Sequence, residues 1–182
     1  MGGAPVARIR VAEADDAQAI ARIKVAAWRQ TYATFLPAEF LDGLDPAEGA
    51  ARTRMRIGPA ALADSPTFVA VDEADAVRGF AHTGPVRDHD LDPRGVAEVY
   101  TIYVDPPLQR RGLGSALLEA IDRFWRRTPV RELVLWVFED NLDGRAFYER
   151  LGWSPDGARQ IDDFGGVHPA EIRLRRDLPR QA

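Results

Sequence analysis

Apolar and polar positions change period several times along the chain. Arg8 to Val11 alternates, which predicts a short strand. Asp15 and Asp16 then open a helical stripe marked by Ala17, Ile20, Ala21, Lys24, Ala27 and Trp28. Leu36-Pro37 interrupts it, and Pro37 to Leu41 has the form of a new helical turn, because proline is tolerated at the first helical position. A third helix is predicted within Glu48 to Met55. Thr67 to Val71 and Val77 to Thr83 are β-prone runs separated by Asp72-Glu73-Ala74-Asp75, the pattern of a hairpin. Gly84 to Arg94 is polar and predicts a surface loop.

A long strand is predicted over Val96 to Val104, closed by Asp105-Pro106-Pro107, since proline cannot donate to a ladder. Leu113, Ala116, Leu117, Ala120, Ile121 and Phe124 then recur at helical spacing. Leu133 to Phe138 is apolar throughout, as expected for a strand covered on both faces, and Asn141 to Leu151 is helical up to Gly152. Strand, helix, strand, helix makes a βαβα unit, and Val167 to Leu174 reads as a last strand. No linker or repeat divides the sequence, so one α/β (α+β) domain over residues 1–182 is expected.

Composition excludes several classes. At 182 residues the chain is long enough to bury ~70% of its unfolded surface. Hydrophobic residues at 46% and charged residues at 29% are ordinary for a globular protein, which argues against disorder. The absence of cysteine rules out a disulfide framework and a thiol nucleophile, and predicts a reducing, cytoplasmic home. The start, Met1-Gly2-Gly3-Ala4-Pro5, has no charged and apolar regions of an export signal. The longest apolar run is too short to span a bilayer, so no membrane association is expected. With a net charge of -4 and scattered arginines, no nucleic-acid footprint is expected. His82, His89 and His168 lie far apart without ligand spacing, so no metal site is expected either.

The segment Gln109-Arg110-Arg111-Gly112-Leu113-Gly114 joins the long strand to the next helix. A glycine loop running into a helix exposes free backbone N–H groups at the positive end of the helix dipole, which suits an anion. A dinucleotide fingerprint would need a third glycine where Leu117 stands, and a P-loop would need Gly-Lys-Ser/Thr, which the loop lacks.

The pattern Gln/Arg-x-x-Gly-x-Gly/Ala at this place resembles the GNAT superfamily of acetyltransferases, and Gln109 to Gly114 fits it position by position. The resemblance extends to the strand Glu98-Val99-Tyr100-Thr101-Ile102-Tyr103-Val104. It also extends to Asn141-x-x-x-Arg145-Ala146-Phe147-Tyr148-Glu149-Arg150-Leu151-Gly152-Trp153, where Trp153 replaces the family's phenylalanine. Trp28-Arg29-Gln30-Thr31-Tyr32 with Leu36-Pro37-x-x-Phe40-Leu41 is similar to one GNAT subgroup. The resemblance implies a mixed, mostly antiparallel sheet of six to seven strands with helices on both faces and a splay between strands 4 and 5, where acetyl-CoA lies.

The resemblance also implies site residues. Gln109, Arg110, Arg111, Gly112, Leu113, Gly114 and Ser115 would hold the coenzyme pyrophosphate, the main chain of Ile102, Tyr103 and Val104 would face the thioester, and Asn141 would bond the pantetheine arm. A β-bulge near Val104 would free an N–H for the oxyanion. Tyr148 would be the general acid beside the sulfur; a core aromatic beside Phe147 is the other reading of it. Trp28 and Tyr32 would wall the acceptor pocket, although helical spacing also fits them to the core, and His82 could reach it from the third strand.

An alkyl amine has a pKa near 10.4, so a base helps to free its lone pair. Strict alternation sets Glu98 on one face with Tyr100, Ile102 and Val104. There, among apolar neighbours, a carboxylate is expected to titrate high, as a base should. Glu98 stands where some GNAT members carry a catalytic glutamate; binding the acceptor's ammonium or a neighbouring arginine is the other role open to it. Asp88, Asp90 and Asp92 would suit a cationic acceptor, or are solvated loop charges. The expected reaction is acetyl transfer from acetyl-CoA to a primary amine of a small molecule or peptide, with a homodimer admissible. The same chemistry with another acyl donor, or a catalytically silent acyl-CoA sensor, is the alternative.

Overall fold

Alternation and glycine loops resolve into seven strands of one sheet in a computed structural model that describes residues 8–57 and 63–178. Met1 to Pro5, on which the expectation about export rests, lies outside the described residues. The strands are β1 (Arg8–Val11), β2 (Thr67–Val71), β3 (Val77–Pro85), β4 (Val96–Val104), β5 (Glu132–Phe138), β6 (Ser154–Ile161) and β7 (Ala170–Asp177). Their order is β1-β2-β3-β4-β5-β7-β6. Every neighbouring pair is antiparallel except β4 and β5.

The helices are α1 (Ala17–Thr31), α2 (Ala38–Asp42), α3 (Pro46–Arg56), α4 (Leu113–Trp125) and α5 (Leu142–Arg150). Alternation on β2 and β3 separates two apolar layers. Val69, Val71 and Phe80 meet Ile20 and Ile23 of α1, while Phe68, Ala70 and Ala81 join Leu117, Leu118 and Ile121 of α4. The β2–β3 hairpin closes through Asp72, whose Oδ1 accepts from the N–H groups of Ala74 and Ala76.

Two departures from the sequence expectation matter for the site. The pairing of β3 with β4 slips between His82 and Thr83, so that Tyr100 is an extra residue in β4. Faces exchange there. Ala97, Val99, Ile102 and Val104 all pack toward α4, whereas Tyr103 packs toward α1. Glu98 therefore does not share a face with Ile102 and Val104, and the break in register lies at Tyr100 rather than near Val104.

The second departure is β6, a strand absent from the sequence expectation, whose Ser154-Pro155-Asp156-Gly157 start carries residues that favour turns. It survives as an exposed edge strand paired only with β7, where a proline and a glycine are tolerated.

Candidate active site

β4 and β5 pair only at Val96–Glu132, Ala97–Leu133 and Glu98–Val134. Beyond Glu98 the strands diverge, because β5 continues along β7 to Phe138 while β4 continues along β3 to Val104. A cleft of about 1620 Å³ opens between them. Asp105 donates its N–H to the Arg78 carbonyl of the β3 side at 2.8 Å. Successive strand residues point their N–H groups to opposite edges, so Val104 and, two residues back, Ile102 turn theirs to the gap.

One end of the cleft is the glycine loop. Gly112 is the N-cap of α4 at φ 83°, and Arg110 also has a positive φ of 62°. These two left-handed residues turn the loop into a cup at the start of α4, where the first N–H groups of the helix have no intrahelical partner and favour an anion. Gly114 lies against α5: a Cβ there would stand 3.0 Å from Cζ of Phe147. Gln109, Leu113 and Ser115 line the cleft with them, and Arg110 reaches across its mouth to Asp143 at 3.5 Å. Arg111 is exposed.

α5 forms the opposite wall. Asn141 caps it, its Oδ1 accepting from the Gly144 N–H at 3.0 Å. Tyr148 projects into the cleft and packs edge-on to Phe147 and Trp153. Burial pushes its phenol pKa upward, with the nearby Tyr103 adding to the effect.

The other end is aromatic. Trp28 and Tyr32 of α1 meet with ring centroids 5.1 Å apart, Tyr32 lies 5.0 Å from Phe138, and Phe138 lies 5.2 Å from Phe164. Trp28 Nε1 donates to the Tyr103 hydroxyl at 2.7 Å, and the Tyr32 hydroxyl is 3.5 Å from it. Burial raises the pKa of both phenols. Glu171 of β7 lines the same end; sequence reasoning missed it, together with Phe138 and Phe164.

Glu98 is 1% exposed, and both its oxygens are taken by Arg87. The guanidinium Nη2 donates to Oε1 at 2.5 Å, while Nε and the backbone N–H each donate to Oε2 at 3.1 Å. The neighbourhood expected to be apolar thus contains a cation. His82 is not brought to the cleft. Its Nδ1 lies 3.0 Å from the Thr67 hydroxyl, and it borders a separate cavity of about 130 Å³ below α1. Burial lowers its pKa.

Asp88 and Asp90 of the acidic loop are neither open to a cationic acceptor nor merely solvated, whereas Asp92 is an exposed loop charge. Arg173, buried in β7, donates to Asp88 at 2.8 Å, to both oxygens of Asp90 at 2.9 and 2.7 Å, and to Asp156 at 2.7 Å. Asp92 accepts from the Arg94 N–H instead. Among the described residues no cluster of three or more His, Cys, Asp or Glu forms a metal site, and no helix is long and apolar enough to cross a membrane.

Residues 24–153 match the model of the acetyltransferase (GNAT) family. The chain belongs to the GNAT acetyltransferase family. This acetyltransferase is 32% identical over 167 residues to the uncharacterized N-acetyltransferase YuaI of Bacillus subtilis (strain 168), covering 91% of the chain and 90% of that protein. It is 39% identical over 115 residues to the mycothiol acetyltransferase of Propionibacterium freudenreichii, but this spans 63% of the chain and only 34% of that protein.

Among solved structures, the acetyltransferase superposes on the PaiA N-acetyltransferase of Thermoplasma acidophilum, solved with coenzyme A. The TM-score is 0.75 at 17% identity, covering 94% and 98% of the two chains. It also superposes on a phosphinothricin acetyltransferase of Sinorhizobium meliloti, solved with acetyl-CoA, at TM-score 0.71 and 24% identity, covering 94% and 88%. These last two likenesses establish the fold.

Proposed function

We propose that the enzyme transfers an acetyl group from acetyl-CoA to a primary amine of a small molecule or peptide, in a reducing cytoplasm. The observation that carries this is the splayed cleft, with an anion cup at one end and an aromatic pocket with an acid at the other. A long donor with a phosphorylated end fits such a channel. The cup at Gln109 to Ser115 suits the pyrophosphate, and the cap residue Asn141 and the free edge of β4 flank the path of the pantetheine arm.

Acyl transfer needs an oxyanion partner and a proton for the leaving thiolate. The gap-facing N–H of Val104 or Ile102 supplies the first, and Tyr148, neutral because burial disfavours the phenolate, supplies the second. Trp28 and Tyr32 wall the acceptor pocket. Glu98 serves to hold Arg87 and through it the loop after β3, and His82 takes no part. The test is thiol release from acetyl-CoA against a panel of primary amines. Turnover on at least one amine is expected; tight coenzyme binding with none would make the protein a sensor.

The cup has its own test. Gly114→Val adds bulk at 3.0 Å from Phe147 and should wedge α4 from α5. The expected result is about tenfold weaker acetyl-CoA binding by calorimetry, a loss of about 1.4 kcal/mol that lies within the ordinary cost of overpacking.

A further inference from the structure

Six acids line the cleft: Asp88, Glu98, Asp140, Asp143, Asp162 and Glu171. Asp88 is held by Arg173 and Glu98 by Arg87. Asp140 and Asp143 belong to the coenzyme end at the start of α5, and Asp162 is exposed. Among the described residues, Glu171 alone is half-buried at the aromatic end without a cation in contact with it. It stands on β7 between Phe138 of β5 and Gln160 of β6. Gln160 Nε2 donates to Oε2 at 2.7 Å, and Oε1 has no donor among the described residues.

We propose that Oε1 of Glu171, with the rings of Trp28, Tyr32, Phe138 and Phe164, binds a monocationic primary amine carrying an aromatic or apolar body, and that Glu171 takes its proton. One unspent carboxylate accommodates one ammonium, and ring faces add attraction for a cation while covering its apolar body. A polyamine or an aminoglycoside would bring further charges into a pocket whose other carboxylate, Asp162, lies out at the solvent-exposed rim, so charges carried inward would be desolvated at a cost. Burial raises the Glu171 pKa from its ordinary value, an effect partly offset by the hydrogen bond from Gln160, and this suits a group that must accept a proton. The charged or titratable groups around it are Asp162 beyond β6, Arg87 after β3, Tyr32 on α1 and Tyr103 on β4.

The step balances. The ammonium gives one proton to Glu171, which releases it to solvent. The freed nitrogen bonds to the acyl carbon, and the C–S bond breaks as the thiolate takes a proton from Tyr148. The acylated nitrogen carries two protons; one restores that phenol and the other stays as the amide N–H, so one proton is released per turnover.

This inference rests on the amine-acceptor reading, and one experiment separates the two. Wild-type and Glu171→Gln are assayed with acetyl-CoA and phenethylamine or spermidine from pH 6 to 10, with thermal midpoint and acetyl-CoA affinity as controls. Phenethylamine is expected to be the better wild-type substrate. Glu171→Gln should lose about 100-fold in kcat/KM at pH 7 with unchanged coenzyme affinity. Its defect should shrink as pH rises toward the amine pKa, since the variant depends on amine already free. Glu171→Asp should recover part of the rate.

A wild-type that turns over neither amine overturns this inference, and only failure on the whole amine panel removes the acceptor reading with it. Turnover that survives in Glu171→Gln, a defect constant across pH, or a preference for spermidine overturns the assignment to Glu171 while leaving acetyl transfer intact.

Discussion

Tyr148→Phe is expected to lower kcat about 1,000-fold with little change in the KM for acetyl-CoA, because the substitution removes one hydroxyl and keeps the ring that packs on Phe147 and Trp153. A loss confined to kcat marks an interaction made only in the transition state. The sign of the pKa shift gives a second readout. Burial raises the phenol pKa, so wild-type Tyr148 stays protonated throughout an ordinary assay range and should contribute no alkaline fall in rate. Undiminished turnover in the variant, measured by thiol release, would remove Tyr148 as the acid.

Arg173→Ala should destabilise the fold by about 3–5 kcal/mol, the range for removing one partner of a buried charge pair. The variant leaves Asp88 and Asp156 facing each other's charge at a site built around the lost guanidinium, and frees Asp90 at the surface. At this chain length the thermal midpoint should fall roughly 10 °C. The native network also has an acid limb. Asp90's hydrogen bonds from Arg173 hold its carboxyl below the usual range, so its contribution is present above the unfolded pKa and is lost as pH falls through the folded one. Denaturant titrations of both proteins at pH 7 and pH 3 check this. The difference between them should narrow at the lower pH, and an unchanged midpoint in the variant would show that the network contributes nothing.

Most of the core was legible because period and punctuation agreed. The bounds of β4 follow from alternation stopped by Pro106-Pro107, and the two walls of the coenzyme end follow from glycine and asparagine at helix starts. What escaped depends on partners distant in sequence. Asp88 and Asp90 look like free loop charges until Arg173, 85 and 83 residues away, is folded against them. Glu98 lies in an alternating strand, but nothing local announces that Arg87 closes over it. Glu171 could have been noticed as an acid among alternating apolar positions, yet its meaning comes from Phe138 and Gln160 on either side. The start of β6 carries turn residues that only an edge position permits.

The additional residue at Tyr100 makes the length of β4 a functional quantity. It lets one strand send Val99, Ile102 and Val104 to α4 and yet deliver the Tyr103 phenol to the aromatic pocket. Strict alternation of the same sequence, without the bulge, would invert everything downstream, driving a phenol into the apolar layer and two aliphatic side chains into the acceptor chamber. Among natural variants of this enzyme, loss of a residue from β4 should therefore be confined to the bulge at Tyr100, where it restores plain alternation and leaves the pairing beyond it unmoved.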